Sequence, residues 1–249
     1  MTNRTIRYSM LTAGLVLLCS IAGCTDDDII GSYESPAVDP NLITFYFPVD
    51  PGYTSTLEVR ESDGRSSMMI FKVGQEVPFS STSAVEWFHQ NGSGFDTSFV
   101  VISGASIYLY ETKGSIPERI LQGPLAPGSQ WTRYPTADSL GDTTTIVTGE
   151  TDLGDIVDKE NADTGGGDGA AKIFPTTGSN ELQVERIETI VLSNGSTFSG
   201  CAKVVNQLSD GSVNQYWFAP GFGLVKYVIG ATQGYPSGRQ IGEMVSFIK

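Results

Sequence analysis

The sequence predicts an all-β protein: an antiparallel meander curled into a curved sheet, half-open barrel or sandwich, behind an N-terminal signal helix. Three observations carry this. Turn dipeptides containing glycine recur about every ten residues, the spacing of neighbouring antiparallel strands. Between them lie short runs of Val, Ile, Thr, Tyr and Phe alternating with polar residues. Beyond the first two dozen residues, no segment carries the periodicity of an amphipathic helix.

Taken in order, the chain opens with Arg4 and Arg7 and then the 13-residue apolar run Met10–Ala22. A bilayer core needs roughly 20 helical residues, so this run is too short to span and reads as a secretory signal over residues 1–23. Residues 24–40, with two prolines and no periodicity, read as a flexible tether. One β domain then occupies 41–249. Its first strands are expected at 42–47, 54–60 and 67–73, the last two flanking Asp63-Gly64, a hairpin signal. Strands at 83–89, 96–103 and 106–111 follow, and a Pro-Gly turn within 120–134 feeds another. The polar, Gly-rich stretch 135–171 reads as a long mobile loop holding a single strand at 143–148. The last third is the most regular: strands at 182–192, 197–208, 213–219, 223–230 and 242–248 are separated by Asn194-Gly195, Asp210-Gly211 and Pro220-Gly221 among other turns.

Alternation assigns faces. In 213–219, Val213 and Trp217 point one way and Asn214, Tyr216 and Phe218 the other; in 223–230, Val225, Tyr227 and Ile229 share a side. Aromatics on both faces imply a sheet covered on one side and partly occluded on the other.

The balance of 28 acids against 15 Lys and Arg gives a formal charge of −13. Removing residues 1–23 takes away Arg4 and Arg7 and no acid, which moves it to −15. Such a surface argues against nucleic-acid partners. Of Cys19, Cys24 and Cys201, the first lies in the signal.

Ile21-Ala22-Gly23-Cys24 resembles the lipobox of bacterial lipoproteins, where a branched residue and two small ones precede a cysteine. The resemblance implies cleavage between Gly23 and Cys24, a diacylglycerol on the Cys24 sulfur and an N-acyl chain on its amine. Stable anchoring takes more than one chain, so such a protein would be held on a membrane without a spanning helix. No other cofactor is implied. The following run Asp26-Asp27-Asp28 resembles a surface-export signal of some Gram-negative groups, and Thr25 stands where an aspartate would favour inner-membrane retention. The expected place is the cell envelope, at the outer membrane, with the leaflet left open and the sorting or export machinery as a partner.

Inside the domain, 216–227 (YWFAPGFGLVKY) is similar to a pattern of uncharacterised β-rich envelope lipoproteins: an aromatic pair, Gly-x-Gly, then Val-Lys. The segments 124–131 and 195–204 are similar to theirs in the same order, and 46–59 more weakly. That group brings no catalytic residue, and the motif itself is that of a hairpin turn.

Enzymatic signatures are missing. His89 is the single histidine, with no Gly-x-Ser-x-Gly elbow, no His-Glu-x-x-His, no Cys-x-x-Cys and no P-loop. Cys201, between Gly200 and Ala202, reads as a small buried hydrophobe. Asp158, Glu160, Asn161, Asp163 and Asp168 cluster in the Gly-rich loop. Their spacing misses the calcium-loop pattern, which makes them weak calcium candidates and a solvated acidic loop the preferred reading. The expectation is a non-enzymatic binding domain for a lipid, an acyl chain or an envelope partner, with Trp87, Trp217 and Tyr216 as ligand-facing aromatics. Two alternatives stand beside it: a surface glycan-binding module stacking sugars on Trp87, Trp131 or Trp217, and a carboxylate-dependent hydrolase needing two acids across a cleft.

Overall fold

The computed structural model describes residues 27–28, 31–33, 42–91, 94–134, 180–234 and 236–249. The signal segment, Gly23, Cys24, the strand expected at 143–148 and the acidic loop with Asp158, Glu160, Asp163 and Asp168 lie outside them. Among the described residues the strands are β1 (Asp27–Asp28), β2 (Ser32–Tyr33), β3 (Thr54–Glu61), β4 (Ser66–Phe79), β5 (Thr82–Asn91), β6 (Gly94–Ser103), β7 (Ser106–Tyr110), β8 (Glu118–Gln122), β9 (Gln130–Thr132), β10 (Glu181–Val191), β11 (Thr197–Gln207), β12 (Val213–Ala219), β13 (Gly223–Ala231) and β14 (Gln240–Ile248). None of the described residues forms a helix long and apolar enough to cross a membrane.

Two antiparallel meanders, β3–β8 and β9–β14, stand side by side and join where the last strand pairs with the third, giving the order β8-β7-β6-β5-β4-β3-β14-β13-β12-β11-β10-β9. The twelve-stranded sheet curls until its outer strands meet, a nearly closed barrel with one seam. At the seam the Arg119 amide donates to the Arg133 carbonyl at 2.7 Å, and the Trp131 indole N–H donates to the Arg119 carbonyl at 3.2 Å. The buried Arg133 guanidinium bonds Glu118 at 2.6 Å across the same gap. Closure matters because a sheet edge left open is a row of unpaired backbone groups.

Local chemistry explains the hairpins. Gly64 and Gly195 adopt φ of +88°, the left-handed conformation that tight hairpin turns demand and glycine supplies without strain. β4 runs on past the expected end at residue 73 by means of a bulge between Val73 and Glu76. A Cβ on Gly74 would come within 2.6 Å of Phe88 Cε2, so this kink has room only for glycine. The run 42–47 is not a strand: Ile43–Phe45 makes a 3-10 turn that buries Ile43 and leads into buried Tyr46 and Phe47.

Inward-facing Leu57, Val59, Met69, Phe71, Phe218, Val225, Tyr227 and Met244 build the main core. Each such side chain, fully buried, contributes about 1.5–3 kcal/mol of transfer free energy. Phe79, Ala84, Val101 and Tyr108 form a second, smaller cluster.

Within the segment read as a tether, two short pieces are paired to the barrel. β1 lies antiparallel to β14, with Asp27 opposite Phe247, and β2 runs parallel to β11, with Tyr33 opposite Phe198.

Candidate functional site

The Pro-Gly-Phe-Gly turn between β12 and β13 carries Phe222 to a place where two aromatic groups meet. Its backbone is fixed first. The Gly221 amide donates to the Phe45 carbonyl at 2.6 Å, and a Cβ on Gly223 would stand 2.5 Å from Pro48 Cδ, so the turn packs tightly on the segment before β3. The Tyr53 hydroxyl donates to the Phe222 carbonyl. Burial pushes the Tyr53 phenol well above the ordinary tyrosine range, which keeps it a neutral donor.

The Phe222 ring belongs to an aromatic box. It stands edge-on to Phe247 at 4.9 Å, to Phe198 at 5.2 Å and to Tyr33 at 5.1 Å, while Tyr33 stacks on Phe198 at 5.1 Å. These are the favoured edge-to-face and offset geometries of aromatic pairs. The Lys249 ammonium caps the box, 4.6 Å from the centre of the Phe222 ring.

Phe222 also lines a small cavity of ≈ 20 Å³ together with Phe47, Tyr53, Phe71, Trp87 and Leu224. That volume holds about one water molecule. Trp87 stacks on Phe71 at 4.9 Å and tilts against Phe47 at 5.5 Å. The walls are apolar apart from the buried Ser55 and the Tyr53 phenol. The lining is thus largely apolar, and the Tyr53 hydroxyl is already committed to the Phe222 carbonyl.

The expected ligand-facing aromatics are divided among different places. Trp87 is in the cavity wall. Trp217 and Tyr216 are neighbours on β12 that point to opposite faces. Tyr216 is in the core, and Trp217 lies between the Lys203 and Lys226 ammoniums at 5.3 and 5.7 Å while its indole N–H donates to Glu188 at 2.7 Å. Lys226 in turn bonds Glu243 at 2.7 Å, and Glu243 bonds Arg60 at 2.6 Å, a charged row running across β13, β14 and β3. Trp87, Trp131 and Trp217 are only 8, 5 and 7 % exposed, so none offers an open ring face for a sugar to stack on.

His89 lies 6.4 Å from Trp87 and 3.6 Å from Asp96. Burial lowers the pKa of its imidazole, against the opposing pull of Asp96 and Glu111. Cys201 is buried and its thiol is pushed up to about 12, so it is no nucleophile at physiological pH. Among the described residues no group of three or more His, Cys, Asp or Glu side chains is placed to hold a metal ion.

Sequence reasoning passed over Phe222, Tyr33, Phe47 and Tyr53. One signal was available: a bare aromatic at the third position of a Pro-Gly-x-Gly turn, where a polar residue is the ordinary occupant.

The class of molecule so defined is an antiparallel, nearly closed β barrel with an aromatic pocket at one turn. No family model and no curated protein matches the chain. Among solved structures it is similar to a Bacteroides fragilis protein described as exported and having a YmcC-like fold, at 14 % identity and a TM-score of 0.41, over 82 % of this chain and 99 % of that one. It is similar also to a Parabacteroides distasonis protein described as a lipoprotein, at 15 % identity and a TM-score of 0.39, over 82 % of this chain and 98 % of that one.

Proposed function

We propose that this chain is a lipid-anchored protein of the bacterial envelope whose barrel is a non-enzymatic binding domain for an apolar chain. The acyl chains sit on Cys24, and the ligand enters between Phe222, Trp87, Phe71 and Phe47. The observation that carries the binding reading is the position of Phe222, which lines the cavity and also belongs to the aromatic box formed with Tyr33. A swing of this one ring, on a turn, merges the two into a longer apolar slot. The closed volume of ≈ 20 Å³ is then the unliganded state, too small for more than a terminal methyl or two. The envelope reading is supported by the signal-like segment and the lipobox-like Ile21-Ala22-Gly23-Cys24.

The test uses Trp87 as a built-in reporter. A polyene fatty acid seated in the slot accepts energy from Trp87, so its sensitised emission rises on binding. It is expected to fall sharply in Trp87→Phe, and binding is expected to be lost in Leu224→Trp, which fills the slot. A fatty acid that fails to bind, or that binds Leu224→Trp as tightly as the parent, overturns the reading.

A further inference from the structure

We infer that the barrel does not hang from the membrane on a loose leash but rests on it by one end, the end that carries Ile248, Phe45 and Leu42. The inference builds on the proposed acylation of Cys24. Asp27 is paired to Phe247 on β14, so only residues 25 and 26 lie between acylated Cys24 and the barrel wall. The three backbone steps from 24 to 27 reach roughly 10 Å at most. The headgroup layer must therefore lie close against whatever surrounds Phe247.

That neighbourhood sets apolar side chains beside the acids Asp27 and Asp28, which pair with Phe247 and Ser246, and beside exposed Asp50. Ile248 is 44 % exposed, Phe45 38 % and Leu42 55 %, three of the large apolar side chains left exposed among the described residues. Phe45 and Lys249 both reach the Gly221 turn, with Phe45 Cε1 3.9 Å and Lys249 Nζ 3.6 Å from where a Cβ at 221 would be. Half-buried Phe222, Phe247 and Tyr33 lie beneath. Ile248 pairs with Thr54, and Thr54 with Lys72, which adds a second ammonium to the rim. Apolar tips with aromatic rings and the Lys72 and Lys249 ammoniums beside them suit a lipid headgroup boundary, where the neighbouring acids stay in the aqueous headgroup layer. Docking of β1 and β2 fixes this end, and no other, at the anchor.

The measurement is depth-dependent quenching. Bimane is placed on I248C, on L42C, or on S66C, which on β4 pairs with Arg60 at the opposite end of β3, roughly 20 Å away at about 3.3 Å per residue. The full chain supplies a single reactive thiol in each case, since Cys24 is acylated and Cys201 buried. Chains isolated from bacterial membranes are weighed by mass spectrometry and reconstituted in phosphatidylethanolamine–phosphatidylglycerol vesicles carrying shallow nitroxide lipids. The expected result is quenching several-fold stronger at 248 and 42 than at 66. Equal quenching at all three sites of an acylated chain overturns the orientation alone. A shielded site 248 that cross-links to its copy shows a second chain covering this end, and overturns it too. A mass without acyl chains overturns the anchor reading, and the orientation with it.

Discussion

Tyr227 on β13 and Gly242 on β14 face each other as a cross-strand pair, and the tyrosine ring occupies the space where any side chain at 242 would stand. An added Cβ would be 2.1 Å from Tyr227 Cε1. The pair is therefore a single packing unit at the heart of the C-terminal meander. Gly242→Ala is expected to destabilise the barrel by about 1–3 kcal/mol, the ordinary cost of overpacking a filled core. The Tyr227 hydroxyl is buried and meets no hydrogen-bond partner among the described residues. Removing it in Tyr227→Phe should leave stability unchanged or raise it by about 1 kcal/mol, since an unsatisfied buried polar group is lost. Urea unfolding midpoints of the two variants check both signs, and a large loss in Tyr227→Phe contradicts the account.

Glu243 sets the pH dependence. Burial pushes its carboxyl up, but the bonds from Lys226 and Ser193 and the Lys226 charge outweigh burial and hold it below the ordinary carboxylate range. A depressed folded pKa means stability that is complete above the unfolded value of about 4.3 and is lost as pH falls through the lower folded value. Glu243→Gln leaves Lys226 and Arg60 without their partner. At pH 7 it should cost about 2–3 kcal/mol, below the roughly 3–5 of a fully buried pair because both cations reach water. The gap between parent and variant should close towards about pH 3. A gap that stays constant with pH would assign the loss to packing.

The hairpins were legible because their turns are chemically distinctive: Asp63-Gly64, Asn194-Gly195 and Asp210-Gly211 each need a backbone that few other pairs tolerate. What escaped depended on partners far along the chain. Nothing local says that β14 pairs with β3, so the joining of two meanders and the closing of the seam were hidden, and curved sheet, half-open barrel and sandwich stayed open together. The run 42–47 looked like a strand because an apolar run has no period to read. Its buried residues, Ile43, Tyr46 and Phe47, have the spacing of a helical turn, the one clue to the 3-10 geometry. β1 and β2 are two residues each, too short to show any pattern, and they exist only because β14 and β11 offer them backbone. The cavity was the least legible part: of its lining residues only Trp87 stands out in the sequence, while Phe222 sits on a turn whose glycines and proline are the conspicuous signal.

Cys201 gives a simple probe of barrel integrity. Its thiol lies against the Phe198 carbonyl at 3.5 Å, and burial, reinforced by the Glu188 charge, pushes it up to about 12. Alkylation requires the thiolate and access, and the folded chain supplies neither. Iodoacetamide at mildly alkaline pH should leave Cys201 unmodified in the native protein and modify it fully in concentrated guanidinium. Fast native labelling, read by peptide mass spectrometry, would mean that β11 opens far more readily than its pairing with β10 and β12 implies.

Tyr33 holds the N-terminal segment in place. It makes three ring contacts, with Phe198, Phe222 and Phe247, and its carbonyl accepts a bond from the Ser199 hydroxyl at 3.2 Å. Aromatic pairs contribute about 0.5–1.5 kcal/mol each beyond the area they bury, whereas β1 and β2 by themselves offer only a few exposed backbone bonds. Tyr33→Ala should therefore release residues 27–33 without unfolding the barrel, because Phe198, Phe222 and Phe247 still pack on one another. Limited proteolysis separates the two events: cleavage between 27 and 41 should accelerate strongly while fragments from 54–134 and 180–249 stay intact. If cleavage of the segment is equally fast in the parent, the segment was never docked; if the whole chain becomes sensitive, Tyr33 belongs to the global core rather than to a local latch. The same variant bears on binding, since with Tyr33 gone the aromatic box opens to solvent and Phe222 is freer to turn. A fatty acid should then associate faster with Tyr33→Ala than with the parent, and a slower or unchanged rate would place the entrance elsewhere.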